Sequence, residues 1–175
     1  MPRLLALVAI GCLAALAAAC SPALDWRRFV PEGSGIEVTF PCRPDRQERA
    51  LALADAPVRV EMLVCNAEGM TFALTFVAVA EPGQVGPGLL ALRQLAAANI
   101  GAAEAHPSRF DLPGMTPNDH SGRIVLAGHL PDGRSVGEHA AFFSRGLRLY
   151  QATVIGSHPL PAAVENFFGG FTLQP

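Results

Sequence analysis

The side chains in this sequence that could do chemistry are few, and their spacing limits what they could do. Cysteines stand at positions 12, 20, 42 and 65. Cys42 and Cys65 are too widely spaced for a CxxC redox pair, and no second pair accompanies them to build a zinc site. A structural disulfide from the end of the second strand to the fourth fits this spacing, as does a reduced, buried pair. The five histidines, His106, His120, His129, His139 and His158, raise the question of a metal. Pro131-Asp132-Gly133 predicts a type I turn with a bulge at Gly133, pairing Leu130 with Arg134. His129 then faces Ser135 and His139 faces Val125, which sets the two imidazoles on one face about 13 Å apart along the ladder. One metal ion cannot bridge that span, so surface or edge imidazoles are expected and no metal site.

The same register turns Ile124, Leu126, Val136, Ala140 and Phe142 toward a core, with Glu138 among them. A three-residue turn at Ser144-Arg145-Gly146 would pair Phe143 with Leu147 and bring Arg148, Tyr150 and Val154 onto that face. Glu138, Tyr150 and Arg148 would then make a polar pocket, because a buried carboxylate needs partners. A register off by one, or an exposed strand end, would dissolve it. A hydrolase using Glu138, Tyr150 or His120 requires those groups to converge in one cleft, and they are expected to lie apart. His120 and Ser121 are adjacent, which is no triad, and the chain has no G-x-S-x-G elbow. "EPGQVGPG" lacks both the Walker spacing and its lysine, so no phosphate loop and no cofactor are expected.

The elements that must position these groups follow from periodicity. "WRRFV" and "GIEVTFP" flank the turn-rich "PEGS" and predict a first hairpin. "ERALALA" and the turn "DAP" lead into two long strands, "VRVEMLVCNA" and "MTFALTFVAVA", joined by the hairpin signal Glu68-Gly69. After a Pro- and Gly-rich break, "LLALRQLAAANIGAA" has helical spacing, with Leu89, Leu92, Ala96 and Ile100 on one stripe and Gln94 and Asn99 off it. A polar loop of about seventeen residues follows, "HPSRFDLPGMTPNDHSG", long enough to be the first place to look for a site. A meander of "RIVLAGHL", "RSVGEHAAFF" and "LRLYQATVIG" comes next. A short helix then starts at Pro161 and stops at Gly169-Gly170, before a closing "FTL". Phe72, Phe76, Phe142, Phe143, Phe167 and Phe168 are expected in the core. Antiparallel strands with segregated helices predict an α+β domain, one antiparallel sheet of hairpins and a C-terminal meander carrying one long and one short helix.

The N-terminus sets the address. Met1-Pro2-Arg3 and the apolar run "LLALVAIGCLAALAAAC" form the n- and h-regions of a secretory signal. Its alanine-rich second half argues against a retained membrane span. Ala17-Ala18-Ala19 satisfies the small-x-small rule of an ordinary leader peptidase. Followed by Cys20, the same residues resemble the bacterial lipobox, with Ala17 where leucine is usual. That resemblance implies a signal at 1–19 and a lipidated Cys20 that anchors the chain to the membrane, followed by a short tether at 20–25 and a single domain at 26–175. Cysteine parity agrees, since Cys12 leaves with the signal and lipid on Cys20 leaves two thiols for one bridge. Serine at position 21, where enteric lipoproteins kept at the inner membrane carry aspartate, implies the outer membrane, facing the periplasm.

Half of the 175 residues are hydrophobic and 16% are charged, which excludes a disordered tail. Loss of the signal takes one of the 13 bases, leaving 12 against 15 acids and a net charge of −3, with no pull on nucleic acid. The layout "W-x-x-F…G-I-x-V-x-F-P-x-x-P", with the later "L-Y-Q-A-T-V-I-G" and a final "F-F-x-x-F", resembles small bacterial exported proteins with the PsbP-like sandwich of sheet and helices. It implies a fold and carries no catalytic residue. The expected function is therefore non-catalytic: a membrane-tethered envelope module that binds or supports assembly. A protein partner would dock on an apolar surface near residues 105–121. Alternatively, a small apolar or amphipathic ligand would sit between helix and sheet, in a cavity lined by the Leu89 stripe and phenylalanines.

Overall fold

A computed structural model describes residues 24–53 and 56–174; the expected signal, Cys20 and most of the tether lie outside the described residues. The strands are β1 (Arg27–Phe29), β2 (Ile36–Phe40), β3 (Asp45–Leu53), β4 (Ala56–Ala67), β5 (Met70–Ala78), β6 (Gly122–His129), β7 (Ser135–Arg145), β8 (Arg148–Gly156) and β9 (Thr172–Leu173). Helix α1 is Val85–Asn99 and α2 is Pro161–Gly169. The fold is α+β, as expected, but its strands form two antiparallel sheets where one was expected. β1, β2 and β9 make a small sheet, and the other strands make a six-stranded sheet in the order β3-β4-β5-β8-β7-β6. The extra sheet arises because "FTL" returns to pair with β2, Ile36 opposite Leu173.

Both faces of the large sheet are covered. On one face α1 lays Leu89, Leu92, Ala96 and Ile100 over Val60, Val77, Ile124, Leu126 and Phe142. Its stripe is the expected one, with Gln94 and Asn99 exposed. The helix begins four residues before the predicted Leu89, because Pro87 falls within the first turn, where a missing N–H breaks no bond. The other face holds α2 and the small sheet around an aromatic centre. Phe167 lies 5.3 Å from Phe40, 5.5 Å from Phe72 and 5.2 Å from Phe171 between ring centroids. The six phenylalanines expected in the core are all buried.

The first hairpin, the Glu68-Gly69 turn and the helix bounded by Pro161 and the Gly169-Gly170 pair all stand as expected. Glu68 and Gly69 have φ of 50° and 69°, the pair of positive values that a type I′ turn needs. The turn at 131–133 also has its expected register: Leu130 bonds Arg134, His129 faces Ser135 and His139 faces Val125. Edge strand β3 is exposed from Asp45 to Ala50 and carries Arg46, Glu48 and Arg49. Arg46 pairs with Glu61, and Arg59 with Glu48 at 2.8 Å. Charges on an edge of this kind oppose pairing with another chain.

The long loop is pinned to the body as a strap. Ser108 bridges to Arg123 and Thr116 to Ser144, while Phe110, Leu112 and Met115 pack into the aromatic cluster. The loop thus carries the chain from the α1 face, round the β6 edge, to the α2 face. No helix among the described residues is long and apolar enough to cross a membrane.

Candidate functional site

The β7–β8 turn corrects the expected polar pocket. Arg145 pairs with Arg148 across the two-residue turn Gly146-Leu147, so Phe143 faces Tyr150 instead of Leu147. Gly146 supplies the positive φ of 55° that a tight hairpin requires. The pairing moves by an odd number of residues, which turns every side chain of β8 to the opposite face. Tyr150 therefore lies in the aromatic cluster with Phe143, their rings stacked 4.9 Å apart, while Glu138 lies under α1. Arg148 accompanies Tyr150, its guanidinium and the Tyr150 hydroxyl both lying against Gly35. Glu138 does not meet either of them.

Tyr150 has a structural part. Its hydroxyl donates to the Ser34 carbonyl at 2.7 Å, fastening the β1–β2 turn to the large sheet. Burial raises its pKa, opposed by the Arg148 guanidinium. Tyr150→Phe should lower stability by about 1–2 kcal/mol, the cost of depriving a buried carbonyl of its donor. Denaturant midpoints measure this; a shift below roughly 0.5 kcal/mol would make the bond dispensable.

The structure instead builds a cleft on the α1 face. The helix rests mainly on β7, β8 and β3. Over β4 and β5 it bridges a floor of Met62, Ala73 and Thr75, whose small members leave a hollow. The cleft has a volume of about 460 Å³ and is open along one side. Leu92, Leu95 and Ile100 form its roof, and Leu51 and Leu130 close two of its margins. The roof is fixed where α1 ends: the His129 N–H donates to the Ile100 carbonyl at 2.7 Å, and a Cβ on Gly128 would lie 2.1 Å from that oxygen. Only glycine allows the helix end to come this close.

Across the apolar floor runs a polar row. Gln151 Nε2 donates to Thr153 Oγ1 at 3.2 Å, and Glu138 stands one diagonal step beyond on β7. Glu138 is 4% exposed. Burial pushes its carboxyl up to about 7, the Thr153 hydroxyl being the smaller, opposing influence. No arginine among the described residues is paired with it, and the one cation lining the cleft is the exposed Arg49. Of the expected helix stripe only Leu92 and Ile100 line the cleft, joined by Leu95 and Asn99; Leu89, Ala96 and the phenylalanines do not line it.

The remaining candidates lie apart. His120 contacts the first turn of α1 near Gly86, away from the cleft, its N–H held by Asn118 Oδ1 at 2.9 Å. His139 is partly buried beside Arg123 and Glu165; burial and then Arg123 lower its pKa, while Glu165 raises it. Arg123 grips Glu165 through two bonds of 2.8 and 3.1 Å and stacks on Phe168, which docks α2. Cys42 and Cys65 are joined as a disulfide with Cα atoms 5.9 Å apart. Among the described residues no three His, Cys, Asp or Glu side chains gather as a metal would need. Val30, Val125, Leu147 and Leu160 are the exposed large apolar side chains among the described residues, none of them in the 105–121 loop. Comparison with protein-family models and with curated protein sequences finds no match to this chain.

Proposed function

We propose that this chain is a non-catalytic binding module of the bacterial cell envelope, anchored by lipid on Cys20, that holds a small amphipathic ligand beneath α1. The observation that carries it is the 460 Å³ cleft with a single buried carboxyl on its floor. Sites for small molecules have this size and this composition, mostly apolar with few polar groups. The disulfide suits an oxidising compartment, and it uses the two cysteines that lipidation of Cys20 would leave. The lipobox-like run ending in Cys20 supports the anchor, and Ser21 supports an outer-membrane, periplasm-facing position. Two sheets with helices on either side are compatible with the PsbP-like sandwich that the sequence layout resembles.

The test uses the full chain with Cys20→Ala, which needs no detergent to compete for the cleft. An uncharged N-phenylnaphthylamine probe should brighten on binding. Leu95→Trp, filling the cleft from its partly exposed roof, should weaken binding about tenfold or more while leaving the melting transition in place. Failure of the Cys20→Ala chain, with Leu95 in place, to bind the probe would overturn the ligand role. The intact mass of membrane-extracted protein tests the anchor: a diacylglyceryl mass on a chain starting at Cys20 supports it, and an unmodified chain overturns it.

A further inference from the structure

The polar row makes a demand on whatever occupies the cleft. Resting on the binding role above, we propose that the ligand is a cationic amphiphile, its protonated nitrogen set against Glu138 and its apolar body lying along Leu92, Leu95 and Ile100. Glu138 is almost wholly buried, lines the cleft, and has no cationic partner among the described residues. The side chains around it supply none: Leu126 and Ile155 flank it on β6 and β8, and α1 contributes leucines, Ile100 and Asn99. The other titratable group of the cleft is Arg49 on β3, exposed.

Each class of ligand head meets this carboxyl differently. A carboxylate or phosphate would bring a second negative charge into a low-dielectric site, where like charges repel strongly. An alcohol or a plain hydrocarbon would leave Glu138 dehydrated and uncompensated, or force it to take up a proton. An ammonium supplies the missing charge, and a charge-assisted hydrogen bond is about twice as strong as a neutral one. Its N–H donors need acceptors, and the row offers the Glu138 carboxylate and the Thr153 hydroxyl oxygen, with the Gln151 amide next along β8. Burial of Glu138 near neutrality also makes binding responsive to pH, because the ligand selects the ionised form.

Displacement of the naphthylamine probe by decylamine, decanol and decanoate, which share one tail, reads the head group alone. At pH 8 decylamine should compete at about tenfold lower concentration than decanol, and decanoate should compete worst. Glu138→Gln, nearly the same shape, should bring amine and alcohol within about twofold while the probe still binds. Lowering the pH from 8 to 5 should erase the amine's advantage in the parent chain, decylamine itself staying protonated. Equal competition by amine and alcohol at pH 8, or an amine preference that survives Glu138→Gln, overturns the cationic ligand while leaving the cleft a binding site. Failure of the parent chain to bind the probe at all would instead remove the binding role on which this proposal rests.

Discussion

At pH 8 the Glu138→Gln chain is expected to be more stable than its parent, by up to about 3 kcal/mol. The carboxyl has an ordinary pKa of 4.5 when unfolded and about 7 when buried under α1. Each unit of that difference is about 1.4 kcal/mol. The sign follows from which form the fold prefers. Burial disfavours the charged carboxylate, so below pH 4.5, where the group is neutral in both states, its contribution is fully present. Between 4.5 and 7 the unfolded chain releases its proton first and gains on the folded one. Above 7 both states are ionised and the loss is complete. Glutamine does not titrate, so its stability carries no such slope. Denaturant midpoints of the two chains at pH 4, 6 and 8 measure this: they should nearly coincide at pH 4 and diverge as pH rises. Parallel profiles would mean that Glu138 keeps an ordinary pKa and reaches water. A stability deficit tied to one unpaired carboxyl is common at sites kept for binding, and saturating decylamine should narrow the gap in the parent chain.

How much of this was legible in the sequence depends on which turn set the register. Pro131-Asp132-Gly133 admits essentially one hairpin geometry, and every face assignment on β6 and β7 follows from it, including Glu138 under α1. Ser144-Arg145-Gly146-Leu147 admits two. Glycine can close a three-residue loop or open a two-residue one, and the tighter choice places Arg145 opposite Arg148. Like charges facing each other argue against that pairing locally. Burial of Phe143, Tyr150, Ala152 and Val154 in the aromatic cluster outweighs it, and that cluster depends on α2 and on β9, distant in the chain. The misplaced register also hid the cleft floor. Gln151 and Thr153 alternate with Tyr150, Ala152 and Val154, a period-two polar pattern that reads as a solvent-facing strand until a helix is placed over it. The long loop misled for a related reason. Its length made it the first place to look for a site, whereas Phe110, Leu112 and Met115 at intervals within it are the apolar pins of a strap.

The disulfide is expected to matter comparably, and at a defined place. Cys42 follows the last residues of β2, and Cys65 lies within β4, 23 positions on. Closing a loop of that length contributes roughly 3 kcal/mol in the chain-entropy model. The bond joins the small sheet to the large one. Cys65 is buried and pairs across the ladder with Phe72, whose ring meets Trp26 at 5.9 Å and Phe167 at 5.5 Å. Reduction by a phosphine should therefore lower the unfolding free energy by about 3 kcal/mol. It should also speed amide exchange first in Ile36–Phe40 and Thr172–Leu173, where the pairing is short. The centre of β5 and β8, paired with each other along nine residues and flanked by further strands on both sides, should exchange last. The cleft lies on the opposite face of the large sheet from this staple, so probe binding should survive reduction under conditions where the chain stays folded. A loss below about 1 kcal/mol would show that aromatic packing alone holds the sheets together. Loss of probe binding together with small-sheet protection would instead show that the two faces of the large sheet unfold as one unit.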